Sequence, residues 1–232
     1  MNQLVKLAAS KQPATHALIF LHGLGDSGSG WSFLGQQLQS MDPKAFQSTT
    51  FLFPTASIVN ITANGGYPMN AWFDIMEWDP QMKQFDNEGY LKTLNGVVKQ
   101  YIKQVMDEGI PSENIILGGF SQGAAITLGS AINLEWKLGG FISLSGFISC
   151  NKDIFKNKEA DRLVNNETPI FHGHGELDPI VALSLGKRSV DWMVGVYGFQ
   201  RAEFHSYQGL QHSANEQELY ELYQFIKKCW NF

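Results

Sequence analysis

The sequence predicts an α/β domain, with a mostly parallel central sheet and helices on both faces. Three observations carry that reading. Short apolar runs such as Ala17-Leu18-Ile19-Phe20-Leu21 and Phe51-Leu52-Phe53-Pro54 lack polar alternation, as strands buried on both faces require. Stretches with helical apolar spacing separate those runs, the order that joins parallel strands by crossovers. One run, Ile115-Ile116-Leu117, leads into Gly118-Gly119-Phe120-Ser121-Gln122-Gly123-Ala124-Ala125, a serine on a tight strand-to-helix turn.

The elements follow in order. Leu4 to Leu7 reads as an edge strand and Ala17 to Leu21 as a buried one. The glycine-rich stretch from His22 to Gly30 follows, then a helix from Ser32 to Gln39. That stretch lacks the lysine and spacing of a phosphate-binding P-loop. Its glycines suit a loop that can turn the Leu24 N–H toward Ser121. After the strand Phe51 to Pro54 comes a turn-rich but aromatic segment from Thr62 to Asp74. Trp72 and Phe73 there are read either as core or, with Tyr67 and Met69, as the lining of an apolar substrate site. Leu91, Leu94, Val98, Tyr101, Ile102 and Val105 recur at helical spacing, and Gly109 and Pro111 end that helix. Phe141 to Gly146 is the next strand, and the polar patch from Asn151 to Glu167 reads as a surface excursion. Strand Pro169 to His172, a helix from Ser184 to Val196 and strand Ala202 to Tyr207 follow. A last helix shows S-x-x-E capping by Ser213 and Glu216, with Leu219, Leu222, Tyr223 and Ile226 on its buried face. Neither repeats nor a linker interrupt the 232 residues, so one domain over 1–232 is expected.

Composition narrows the function. The net charge is −5 with no basic block, which argues against nucleic acid as a partner. No apolar run reaches the length of a membrane span and the N-terminal stretch lacks a signal-peptide core, so a cytoplasmic address is expected, with the nucleus also open. Two cysteines are too few for a disulfide framework or a structural zinc site. His172 and His174 lie near Glu176 and Asp178, but no further histidine or cysteine cluster completes a ligand set, so neither metal nor cofactor is expected.

G-x-S-x-G is the motif with chemical content. A serine hydroxyl is a weak nucleophile until a base takes its proton, so it must project where base and substrate meet. The α/β-hydrolase arrangement supplies, in chain order, serine, acid and histidine, each on a loop after a strand. Asp178 follows the strand ending near His172, with Glu176 as the alternative acid. His212 follows the strand ending near Tyr207. Of the other histidines, His16 lies in the N-terminal segment, His22 in the glycine loop, His172 and His205 within predicted strands, and His174 before the acid.

Leu21-His22-Gly23-Leu24-Gly25-Asp26-Ser27-Gly28, Ala71-Trp72-Phe73-Asp74, Gly118 to Gly123, His172 to Pro179 and His212-Ser213 together resemble the acyl-protein thioesterase family and its carboxylesterase and lysophospholipase relatives. The resemblance spans nearly the whole chain with its motifs in order. It implies an α/β-hydrolase fold and a triad of Ser121, Asp178 and His212, with backbone N–H groups of Leu24 and Gln122 facing an oxyanion. It also implies that the Thr62 to Asp74 loop lies beside the acyl site. The implied substrates are S-palmitoylated proteins such as Gα subunits, whose fatty-acyl chain is removed with at most transient contact to a membrane surface. Two alternatives stay open: an esterase for soluble esters or lysophospholipids, and a catalytically silent hydrolase fold that binds lipid. Animal members carry Ser-Cys-Trp where this chain has Ser145-Gly146-Phe147.

Overall fold

The computed structural model describes residues 3–78, 84–148, 154–155 and 163–232. Its strands, in chain order, are β1 (Leu4–Leu7), β2 (His16–Leu21), β3 (Thr49–Pro54), β4 (Ile58–Ile61), β5 (Tyr67–Asn70), β6 (Ile115–Phe120), β7 (Gly140–Leu144), β8 (Ile170–Gly175) and β9 (Ala202–Tyr207). The helices are α1 (Gly28–Trp31), α2 (Phe33–Met41), α3 (Asn87–Lys92), α4 (Lys99–Asp107), α5 (Gln122–Asn133), α6 (Leu183–Tyr197) and α7 (Glu216–Trp230). Seven strands form one sheet in the order β1-β3-β2-β6-β7-β8-β9. Only β1 runs antiparallel to its neighbour; the other pairings in that sheet are parallel. This is the α/β-hydrolase architecture, and the loops after β2, β6, β8 and β9 open at one end of the sheet.

Strand periodicity divides the core in two. Leu18 and Phe20 of β2 point to one face, where Leu34 and Leu38 of α2 and Leu222 and Ile226 of α7 cover them. Ala17, Ile19 and Leu21 point to the other face, under Ile102 and Val105 of α4, Ala125 and Ile126 of α5 and Met193 of α6. Each leucine, isoleucine, phenylalanine or methionine among them is worth about 1.5–3 kcal/mol when fully buried. Burial on both faces therefore accounts for the continuous apolar runs.

Several elements differ from the sequence reading. The helix expected around Leu91 to Val105 begins earlier, at Asn87, and a π-helical turn over Thr93–Val98 divides it. Part of the Thr62 to Asp74 segment is strand rather than loop: β5, over Tyr67–Asn70, pairs antiparallel with β4 as a separate hairpin. The helix α7 is capped by Asn215, whose side chain accepts from the Glu218 N–H at 2.8 Å, and not by Ser213. The cap sits where the backbone is extended immediately before the helix, and Ser213 lies too far back. Most of the polar patch, including Asn151-Lys152-Asp153 and Asn157-Lys158-Glu159, lies outside the described residues. Asn165 of that patch is fully buried, not a surface residue. Its side-chain oxygen accepts from the Leu138 N–H and its amide donates to the Trp136 carbonyl.

Candidate active site

Ser121 follows β6 and caps α5 at φ 53° and ψ −114°, in a region that non-glycine residues rarely occupy. Such a conformation costs about 1–3 kcal/mol and persists only where the surroundings enforce it. The surroundings are glycines at closest approach. A Cβ on Gly119 would lie 2.4 Å from the Gly123 backbone, and one on Gly123 would lie 2.3 Å from the Leu21 carbonyl oxygen. The Ser121 N–H donates to the Leu144 carbonyl at 2.8 Å, which fixes the turn against β7. Gln122 begins α5, so its N–H has no acceptor within the helix.

His212 comes from the loop after β9. Its Nε2 lies 2.9 Å from Ser121 Oγ and its Nδ1 lies 2.6 Å from Asp178 Oδ2. A carboxylate only accepts, so Nδ1 carries the proton and Nε2 is the acceptor for the serine hydroxyl. The other Asp178 oxygen accepts from the Ile180 and Val181 N–H groups, each at 2.8 Å. Burial alone would raise the Asp178 carboxyl. The hydrogen bond from His212 and those from the two N–H groups outweigh burial and hold it below the usual carboxylate range. The Phe120 ring packs against the imidazole, with the ring centroids 4.7 Å apart. Glu176, the alternative acid, accepts from Ser206 Oγ at 2.9 Å, whereas the hydrogen bonds of the His212 ring go to Asp178 and Ser121.

The glycine loop is braced from several directions. His22 is fully buried and accepts from the Ala56 N–H through Nε2 at 2.9 Å. Its Nδ1–H therefore donates to the Gly23 carbonyl, 2.6 Å away. The Trp72 indole N–H donates to the His22 carbonyl at 2.7 Å. Gln122 closes the network: its side chain accepts from the Trp72 N–H at 2.9 Å and donates to the Phe73 carbonyl at 2.7 Å. One residue thus links the turn carrying Ser121 to the segment that supports Gly23 and Leu24.

A cleft of about 630 Å³ opens over Ser121 and His212, lined by Leu24, Phe73, Ile75, Phe147, Leu185 and others. Of the four aromatic and methionine side chains read as an acyl lining, only Phe73 lines it. Trp72 is 4% exposed and spends its indole on the His22 carbonyl. Tyr67 is 66% exposed on the β4–β5 hairpin. Met69 packs against Gly25, where its methyl occupies the space of a Cβ. The physical reason is the hairpin: Tyr67 and Met69 belong to β5, which pairs with β4, and the chain reaches the cleft only at Phe73. Phe147, Ile75 and Leu185 were not singled out from sequence. Phe147 alone had a signal, as the last residue of the run that departs from the animal pattern.

The family model described as Phospholipase/Carboxylesterase matches residues 2–230. The chain belongs to that family. It is similar to an Acyl-protein thioesterase 1 of Saccharomyces cerevisiae, 49% identical over 228 residues, which covers 98% of each chain. An Acyl-protein thioesterase 1 of Kluyveromyces lactis is 43% identical over 97% of this chain and 96% of that one. Among solved structures, Arabidopsis thaliana SOBER1 superposes with a TM-score of 0.83 at 30% identity, covering 94% of this chain and all of that one. This phospholipase/carboxylesterase member is accordingly a serine hydrolase of the esterase and thioesterase class.

Proposed function

We propose that this enzyme hydrolyses fatty-acyl thioesters on cysteines of S-acylated proteins, palmitoylated Gα subunits among them. The observation that carries the reading is a largely apolar cleft, walled by Phe73, Ile75, Phe147 and Leu185, that is also lined by Ser121 and His212. The names of the fungal relatives support it. In this reading neutral His212 takes the Ser121 proton as Ser121 attacks the acyl carbonyl. Asp178 holds the imidazole in its Nδ1–H tautomer and stabilises the imidazolium. Backbone N–H groups of Leu24 and Gln122 receive the oxyanion. Cysteine thiolate leaves, and water activated by His212 releases the fatty acid from the acyl-serine.

Fatty-acyl proteins lie at membranes, and among the described residues no helix is long and apolar enough to cross one. We propose a cytoplasmic enzyme, shared with the nucleus, that meets its substrate by transient surface contact. The family description favours a second reading, an esterase for soluble esters or lysophospholipids. One assay separates them: kcat/KM on a palmitoyl-thioester peptide against its butyryl homologue and palmitoyl lysophosphatidylcholine. The proposal expects the palmitoyl peptide to lead. A preference for butyryl or for the lysophospholipid would reject it.

A further inference from the structure

Two histidines in the strand before the acid are unused by the chemistry above. His172 and His174 of β8 are both fully buried, although an imidazole is seldom placed in a core without a task. His174 Nε2 lies 2.8 Å from the Val181 carbonyl oxygen and 3.6 Å from Asp178 Oδ2. Both neighbours are acceptors, so Nε2 carries the proton. In the neutral ring Nδ1 is then a bare acceptor, and its partner is His172 Nε2 at 3.2 Å, which must donate. His172 Nδ1 is left unprotonated, with no hydrogen-bond partner among the described residues. The two rings lie nearly parallel, and His172 stacks on Phe204 of β9 at 5.2 Å. Helix α6 closes over them only because residue 186 is glycine. A Cβ there would lie 2.3 Å from His174 Nδ1 and 2.9 Å from His172 Nε2.

The effect reaches the acid through one residue. The Val181 N–H holds Asp178 Oδ1, and the Val181 carbonyl is held by His174. Residue 181 is thereby pinned on both sides, which fixes the carboxylate so that Oδ2 faces His212. We propose that His174 is a positioning residue for Asp178, kept in its neutral Nε2–H tautomer by the hydrogen bond from His172. This rests on the reading of Ser121, His212 and Asp178 as the catalytic set. A protonated His174 would turn a second N–H onto the His172 donor and place a cation beside the carboxylate that must serve His212. Burial opposes that charge.

The test uses His174→Leu and His174→Gln, the latter with a side-chain N–H that reaches the Val181 carbonyl. Hydrolysis of 4-nitrophenyl butyrate and the rate of Ser121 labelling by a fluorophosphonate are measured beside Ser121→Ala. A shift of Asp178 should lower kcat about 10- to 100-fold in H174L with KM little changed, since misplacements near 1 Å cost on that order. H174Q should recover most of the loss. The far-downfield proton resonance of the His212–Asp178 hydrogen bond should shift in H174L and return in H174Q. In the wild type, nitrogen NMR of the imidazoles should show His174 neutral with its proton on Nε2. A folded H174L with wild-type kcat, or a wild-type His174 that is cationic or protonated on Nδ1 at pH 7, would overturn the proposal. Should H174L fail to fold, the wild-type tautomer decides. If Ser121→Ala stays active the catalytic reading itself fails; if only H174L is unimpaired, the positioning role alone is lost.

Discussion

Trp72→Phe separates two roles for the same side chain, a wall for the acyl chain and a strut for the glycine loop. The substitution keeps an aromatic ring and deletes the indole N–H that holds the His22 carbonyl at 2.7 Å. That carbonyl sits immediately before Gly23 and Leu24, in a site where Trp72 is 4% exposed, so water cannot easily replace the donor. Leaving a buried acceptor unsatisfied costs about 1–3 kcal/mol. If all of this falls on the loop that receives the oxyanion, kcat/KM drops roughly 5- to 150-fold, at about 1.4 kcal/mol per tenfold. Because Trp72 does not line the cleft, the drop should be the same for every acyl length. The assay is a thioester series from acetyl to palmitoyl, kept below the critical micelle concentration, run on wild type and variant. Two parallel lines support the strut. A loss confined to long chains would refute it and return Trp72 to the acyl wall.

Three further outcomes follow from the geometry. Asp178→Asn should reduce kcat by about 10³–10⁴ because an amide favours the wrong His212 tautomer, while Glu176→Gln stays near wild type; the reverse ranking of the two in steady-state assays would displace Asp178 as the acid. Gly123→Ala places a methyl 2.3 and 2.6 Å from the Leu21 and His22 carbonyl oxygens, which are backbone and cannot swing aside, so urea unfolding should show a loss above about 3 kcal/mol; an unchanged midpoint would mean that the turn can yield. Glu218 is fully buried with neither oxygen partnered among the described residues, and burial, then Glu221, push its carboxyl from 4.5 up to about 8. The folded state therefore holds this proton more tightly than the unfolded chain. Its contribution to stability is whole below about pH 4.5 and is lost as pH rises toward 8, by up to ~1.4 kcal/mol per pH unit. Glu218→Gln should remove that slope, so that its stability relative to wild type climbs between pH 5 and 8; parallel curves for the two proteins would contradict the assignment.

The parts of this molecule that were legible in its sequence are those ruled by local chemistry. Buried strands announce themselves as apolar runs, and the turn around Ser121 needs glycine at 119 and 123 for reasons of space alone. The order serine, acid, histidine confines each group to a loop after a strand, which is why Asp178 and His212 could be named before any coordinates. What was not legible depends on long-range contacts. Trp72 and Phe73 are neighbours in sequence, yet one braces the His22 carbonyl and the other lines the cleft. Both follow β5 outside any strand, so only the folded contacts decide between them. Leu185 of α6 and Ile75 carry no mark that distinguishes a cleft wall from core. Asn215 and Ser213 both suit a helix cap by type; the extended backbone at Asn215 makes the choice. The pairing of His172 with His174 needed the strand to continue to Gly175, three residues beyond its expected end.

The acyl-serine is the intermediate on which the proposed chemistry turns. A palmitoyl-thioester peptide mixed with an excess of enzyme and quenched in acid within one turnover should leave a palmitoyl group on the tryptic peptide that carries Ser121, as read by mass spectrometry. The adduct should appear as thiol is released and should be absent from Ser121→Ala, which should also cease to release thiol. Thiol release at the wild-type rate from Ser121→Ala, or an acyl group found on another residue, would contradict it.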